Sequence, residues 1–185
     1  MKVAFLDRDG VINKEINYLH KIKDFSYTVN CISGLKKLNG LGFELIVVTN
    51  QAGLAKGIFT EKDFQTLSEW LVRDLVSHGV ELRDYIFCPH HPEGVIQRYS
   101  INCDCRKPKP GMLISARNKH KINMQDSILI GDKISDIQAA KRAGVGQSYL
   151  VESGHELNAS DHSIAPVCTN LFEVAVLLEN QSKFC

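Results

Sequence analysis

The sequence predicts an α/β fold, a doubly wound parallel sheet with helices on both faces. Several short runs are almost continuously apolar and then break abruptly into polar residues. Strands buried on both faces read this way where they run out at the carboxyl edge of a parallel sheet. Segments with apolar residues at helical spacing lie between these runs, and strands alternating with helices are the pattern of a doubly wound sheet. The 185 residues suit one such domain, 1–185, and are short for two.

The first run, Val3 to Leu6, ends in Asp7-Arg8-Asp9-Gly10. Side chains two apart on an extended segment point the same way, so Asp7 and Asp9 converge on one substrate or cation, and Gly10 lets the backbone turn beside them. An acidic turn after a strand is the plain alternative, which the rest of the chain argues against. Val11 to Tyr27 is irregular and reads as a surface loop over the strand ends, too short for a lid domain. Ile32, Leu35, Leu38 and Leu41 mark a helix over 32–41, closed by Gly42. Phe43 to Thr49 is a second strand, again ending in polar residues, Thr49-Asn50-Gln51.

Thr60-Glu61-Lys62-Asp63 fits a helix start, and Phe64, Leu67, Leu71 and Leu75 continue the apolar stripe as far as Gly79. Trp70, beside that stripe, reads as packing. Tyr85 to Phe87 is a brief third strand. The prolines between Cys88 and Gly111 forbid regular structure, and Pro110 suits the first turn of a helix over 111–119. Ser127 to Gly131 repeats the opening theme and ends at Asp132. A helix over 136–143 stopped by Gly144, a fifth strand over 149–151 and a last helix over 169–180 complete the chain.

With 22 basic and 21 acidic side chains the net charge is near zero. Neither a nucleic-acid footprint nor an anionic-membrane surface is expected, and any bound anion must be held by local groups. No apolar run approaches the ~20 residues that cross a bilayer. A cleaved signal peptide would remove the strand that begins at Val3. These features predict a cytoplasmic monomer acting on a small molecule. Six cysteines in a reducing compartment turn attention from disulfides to metal or catalysis.

Parallel strands bring their carboxyl ends to one edge, where Asp7/Asp9, Thr49/Asn50 and Asp132/Lys133/Asp136 meet, with Arg106 and Lys107 arriving on a loop. Asp7, Asp9 and Asp132 are hard oxygen ligands suited to Mg²⁺ together with a substrate phosphate. Thr49 offers a hydroxyl, and Arg106, Lys107 and Lys133 offer cations, to a phosphoryl group. Carboxylates alone would repel a phosphate; metal and lysine together cancel that repulsion.

Asp7-Arg8-Asp9-Gly10, Thr49-Asn50-Gln51, Lys107 and Gly131-Asp132-Lys133-Ile134-Ser135-Asp136 resemble the four ordered motifs of the haloacid dehalogenase (HAD)-like phosphatases, over residues 3 to about 145. The run Cys88-Pro89-His90-His91-Pro92, followed by Cys103-Asp104-Cys105-Arg106-Lys107-Pro108, most resembles the D-glycero-D-manno-heptose 1,7-bisphosphate 7-phosphatases of nucleotide-heptose biosynthesis. The related histidinol-phosphate phosphatases share the cysteine and histidine pattern with a shorter connecting loop. The resemblance implies a HAD-like fold with minimal cap loops. It also implies Asp7 as nucleophile through an aspartyl-phosphate, and Asp9 as general acid and then base. Mg²⁺ would be held by the Asp7 carboxylate, the Asp9 carbonyl and Asp132, with Asp136 supporting them. Lys107 would bridge nucleophile and phosphate. Asn13 and the stretch Glu15, Ile16, Asn17 and Tyr18 fall where such enzymes contact substrate, as Asn50, Gln51, Arg106 and Lys133 would. Ala52 stands where many relatives have Ser. Because Asp9 must begin protonated, nearby negative charge is expected to raise its pKa.

Cys88, His90, Cys103 and Cys105 form a closed set for structural Zn²⁺ on a loop over 88–105, with His91 the rival to His90. The zinc would hold the loop that delivers Lys107. Cys31, Cys168 and Cys185 read as inert, Lys109 as solvated, and His20, His78, His120, His155 and His162 as surface residues without partners. Two other activities compete with a heptose phosphatase: histidinol-phosphate hydrolysis, and a phosphoaccepting receiver. Receivers use an Asp after the third strand, where this chain has Phe87-Cys88.

Overall fold

The computed structural model describes residues 1–183. Its strands are β1 (Val3–Leu6), β2 (Glu44–Asn50), β3 (Asp84–Cys88), β4 (Ile128–Gly131), β5 (Gln147–Val151) and β6 (Val167–Cys168). The helices are α1 (Cys31–Gly40), α2 (Ala52–Ala55), α3 (Glu61–Ser77), α4 (Gly111–His120), α5 (Ile134–Ala143) and α6 (Leu171–Ser182). The strands form a six-stranded sheet in the order β3-β2-β1-β4-β5-β6, with every pairing parallel.

The period-2 geometry of β1 divides its side chains between two cores. Ala4 and Leu6 join Leu45, Val47, Ile128 and Ile130 against α1, α3 and α6. Val3 and Phe5 join Ile46, Val48 and Leu129 against Met112, Leu113 and Ala116 of α4 and Ala139, Ala140 and Ala143 of α5. This two-sided burial explains why the central strands read as unbroken apolar runs.

The chain builds outward from β1 to β3, then returns to place β4 on the other side of β1. The direction of winding therefore reverses between β1 and β4, and a crevice opens at their carboxyl ends. Asp7 and Asp132 follow directly from these two strands.

The α3 start is as the sequence predicts: the Thr60 hydroxyl accepts from Asp63 N at 3.2 Å, and the Asp63 carboxylate accepts from Thr60 N at 2.9 Å. Helix α5 begins two residues earlier than expected, because Asp136 accepts from the Lys133 backbone N–H at 3.0 Å and serves the first turn instead of preceding it. Two elements carried no sequence signal. Helix α2 is a single turn, and β6 is two residues paired to the edge of β5. At the end of β3 no carboxylate follows Phe87, which leaves a receiver without its phosphoacceptor. Among the described residues no helix is long and apolar enough to cross a membrane. Cys185 lies outside them.

Candidate active site and a cysteine-histidine cluster

The carboxyl edge of the sheet holds a cavity of about 440 Å³ lined by Asp7, Asp9, Thr49, Lys107 and Asp136 at its base, with Lys56, His91, Arg106, Lys133 and His155 among the residues around it. Asp7 continues β1 by donating its backbone N–H to Ile130 O at 3.0 Å, which fixes it beside β4. Lys107, 4% exposed, reaches in from the far loop. Its ammonium lies 3.1 Å from Asp7 Oδ1 and 2.6 Å from Asp136 Oδ1, and donates to Val48 O at 2.7 Å. Burial opposes its charge, but Asp136 and Asp7 hold its pKa above the ordinary lysine value.

Asp7, Asp132 and Asp136 bring carboxylate oxygens within 4.8 Å of one another. Burial lifts the Asp7 pKa to about 7; Lys107 pulls it down, and the neighbouring carboxylates add to the rise. Asp132, fully buried, is raised by burial and then by Asp136. Its two oxygens have different fates. Oδ2 accepts from His155 and is hemmed in so closely by Gly10 and Gly154 that a Cβ at either glycine would collide with it. Oδ1 is buried with no hydrogen-bond partner among the described residues. A buried, unpartnered carboxylate oxygen beside two further carboxylates fits a divalent cation.

Asp9 departs from expectation. Burial pushes its pKa up, but Arg8, Asn13 and Gln51 outweigh that and hold it below the ordinary aspartate value. The adjacent charge is the Arg8 guanidinium inside the motif, and it reverses the sign expected from the acidic cluster. Asn13 is fully buried and donates to Asp9 Oδ1 at 3.0 Å.

Glu15, Asn17 and Tyr18 line the cavity on the loop after β1. Asn17 and Tyr18 hold φ of 54° and 58°, a left-handed conformation uncommon outside glycine, and such residues gather at functional sites. Tyr18 OH accepts from Lys56 Nζ at 2.8 Å, and Lys133 Nζ stands 3.9 Å from Glu15 Oε2. Arg106 lines the same cavity and donates to His90 O at 3.3 Å. Asn50 and Gln51 line it too, although their amides are already engaged. Asn50 brackets Lys107, accepting from its N–H at 3.1 Å and donating to its carbonyl at 3.0 Å. Gln51 donates to Thr49 Oγ1 and Asp9 Oδ2, each at 2.9 Å.

Three titratable residues of the lining went unassigned to this site from sequence. Lys56 ends α2, an element too short to show a pattern. His91 faces the cavity and stands outside the metal-ligand cluster formed by its neighbours. His155 is not an unpartnered surface residue, since it hydrogen-bonds Asp132. His120 also has a partner, 2.7 Å from Asp84 Oδ2, whereas His78 does lie on the surface, its ring meeting Asp74 O at 2.8 Å. His20 likewise meets Tyr18 O at 2.8 Å.

Cys88, at the buried end of β3, converges with His90, Cys103 and Cys105. The Sγ atoms are 3.1–3.4 Å apart, and His90 Nδ1 lies 3.3 Å from Cys105 Sγ and 3.7 Å from Cys88 Sγ. These separations are too long for disulfides, and the sulfurs lie a few tenths of an ångström inside the roughly 3.8 Å edge of a tetrahedron with metal–sulfur arms of about 2.3 Å. His90 fills the fourth corner, not His91.

A HAD-hydrolase-like family model matches residues 104–174. A protein of Photorhabdus laumondii named D-glycero-alpha-D-manno-heptose-1,7-bisphosphate 7-phosphatase is 51% identical over 97% of both chains. A second protein of that organism, named for the beta substrate, is 43% identical over 90% of this chain and 89% of its own. The crystal structure of a D,D-heptose 1,7-bisphosphate phosphatase from B. bronchiseptica, complexed with magnesium and phosphate, superposes with a TM-score of 0.82 at 28% identity, covering 98% of this chain and 99% of that one.

Proposed function

The chain belongs to the D-glycero-D-manno-heptose 1,7-bisphosphate 7-phosphatase family of HAD-like hydrolases, a family of phosphoric monoester hydrolases, and from that premise we propose how its own residues remove the 7-phosphate. The observation that carries the proposal is the meeting of Asp7, Lys107 and Asp136 at the base of a cavity walled by cationic side chains.

An Asp7 oxygen attacks phosphorus while the bond to the sugar oxygen breaks, and Asp9 gives that oxygen its proton. Water then attacks the aspartyl-phosphate, Asp9 takes the proton, and phosphate leaves with the Asp7 carboxylate restored. Lys107, shared between Asp7 and Asp136, offers its charge to the phosphoryl oxygens. The Thr49 hydroxyl, already accepting from Gln51, is free to donate to them. Asp7, Asp132 and the Asp9 carbonyl would hold Mg²⁺, which when bound neutralises the carboxylates and disperses charge on the phosphate. Asp136 supports this set through Lys107.

Glu15, Asn17 and Tyr18 would contact the sugar, and Arg106, Lys133 and Lys56 would hold the remaining phosphate. Three cationic groups beyond Lys107 exceed what one phosphoryl group requires, which favours a bisphosphate over histidinol phosphate. The four-ligand cluster would take a structural Zn²⁺, leaving no open position for chemistry and fixing the loop that ends in Arg106 and Lys107. The alpha anomer is the favoured substrate, because within one organism the alpha-named relative is the more similar of the two. The near-neutral charge favours a small-molecule substrate over a nucleic acid or an anionic membrane.

The test is phosphate release from the alpha and beta heptose 1,7-bisphosphates, with and without Mg²⁺, for wild type and Asp7→Asn. Mg²⁺-dependent release, higher kcat/KM on the alpha anomer, and a loss of roughly 10⁴-fold or more in the variant are expected. Hydrolysis of histidinol phosphate in preference to both would overturn the assignment.

A further inference from the structure

Arg8 sits between the two aspartates of the opening motif, and its side chain is fully buried. Burying a guanidinium is costly unless its donors are used. Its Nη2 donates to Asp9 Oδ1 and Oδ2 at 2.8 Å each, and Nε donates to Oδ1 at 3.1 Å. The same Nη2 reaches Leu19 O at 3.2 Å and Gln51 Oε1 at 3.4 Å. With Asn13 on Oδ1 and Gln51 on Oδ2, both Asp9 oxygens already accept.

This arrangement conflicts with proton donation. A carboxyl that passes a proton to a leaving oxygen needs one oxygen carrying that proton and turned to the substrate, not committed as an acceptor. The Arg8 contacts must therefore loosen during turnover. Leu19 ends the segment that carries Glu15, Asn17 and Tyr18, so the guanidinium spans the acid on one side and the sugar-facing loop on the other. A lysine could not substitute, because the contacts use the planar fork of Nε and Nη2.

We propose that Arg8 is a positioning residue that couples the sugar-facing loop to Asp9, holding both carboxylate oxygens until a substrate that fills the loop shifts Leu19 and frees one of them. The proposal rests on the phosphatase chemistry above. It predicts that Arg8 matters most for substrates that both engage the loop and need a protonated leaving group. An aryl phosphate such as p-nitrophenyl phosphate does neither, because its phenolate leaves without a proton.

Arg8→Met and Arg8→Lys should be compared with wild type on a heptose bisphosphate and on p-nitrophenyl phosphate, at saturating Mg²⁺. General-acid contributions of roughly 10²–10⁴-fold set the scale. Arg8→Met is expected to lose about 10²-fold in kcat on the sugar phosphate and at least tenfold less on the aryl phosphate, with Arg8→Lys losing in the same ratio. Equal losses on the two substrates, or no loss on either, would overturn the coupling. If Arg8→Met fails to fold, Arg8→Lys decides by the same ratio. If wild type does not cleave heptose bisphosphate, the substrate assignment falls, and the Arg8 comparison is made on whichever alkyl phosphate wild type hydrolyses.

Discussion

Lys107 is closer to Asp136 than to Asp7, 2.6 Å against 3.1 Å. Asp7, the proposed nucleophile, therefore shares its cation with a residue at the start of α5. This division keeps Lys107 from forming a closed pair with Asp7, which would blunt the carboxylate as a nucleophile and leave less charge for a phosphate.

Asp136→Asn removes that competition while keeping the size of the side chain and an acceptor for Lys133 N–H. Lys107 then moves onto Asp7. Expected is a fall in kcat of about 10- to 100-fold with KM changed by only a few-fold, since partners that orient catalytic ligands typically carry effects of that size. Steady-state kinetics with the folded variant checks it, and an unchanged kcat would show that Asp136 has no part in placing Lys107.

The raised Asp7 pKa makes a signed prediction. Unfolded, the group titrates near 3.8; folded and metal-free, near 7. Between those values the folded chain binds more protons, so this group's contribution to metal-free stability falls as pH rises through the window. Mg²⁺ requires the carboxylate and expels the proton. Calorimetry in buffers of different ionisation enthalpy should therefore record proton release on Mg²⁺ binding at pH 6 and little at pH 8, with the thermal shift produced by Mg²⁺ growing with pH.

His155 caps Asp132 Oδ2 and leaves Oδ1 as the oxygen without a partner. In His155→Ala the Asp132 carboxylate loses the contact that fixes its rotation. Mg²⁺ affinity by calorimetry should weaken about tenfold, whereas affinity equal to wild type would reduce His155 to a bystander.

The proposed zinc site predicts about one tightly held zinc per wild-type chain by elemental analysis and none in Cys105→Ser. Losing a structural metal removes several kcal/mol, and for a chain of this size that lowers Tm by roughly 10 °C or more. Activity should fall with it, because Lys107 follows Cys105 by two residues. Full activity without zinc would separate the cluster from the catalytic edge.

The parts of the site legible in sequence were those with a local cause. An apolar run buried on both faces announces its own end, so Asp7, Thr49 and Asp132 could be placed on one edge before any coordinates. The Thr60 start of α3 and the paired cysteines were equally local. What escaped depends on tertiary placement. His155 meets Asp132 only because the loop after β5 folds back over Gly10, where Ser153 Oγ donates to Gly10 O at 2.6 Å. The sign of the Asp9 shift was missed because Arg8 reads as a neutral spacer in Asp-x-Asp, and only its burial turns it onto Asp9. Helix α2 and strand β6 are too short for periodicity to register.

Asn50 grips both the N–H and the carbonyl of Lys107 from the end of β2. The Lys107 backbone is thus moored at two points, to the sheet by this amide and to the four-ligand cluster by the peptide bonds leading back to Cys105. The stretch from Pro92 to Ile101 loops out between His90 and Cys103 of that cluster, and Val95 and Ile96 donate their N–H groups to Ala55 O of α2 at 2.8 and 2.9 Å. Exchanges there would act on the cavity at one remove, through α2 and the Lys56 that follows it and lines the cavity, while the Asn50 clasp keeps Lys107 in register, so libraries aimed at new sugar phosphates can begin there.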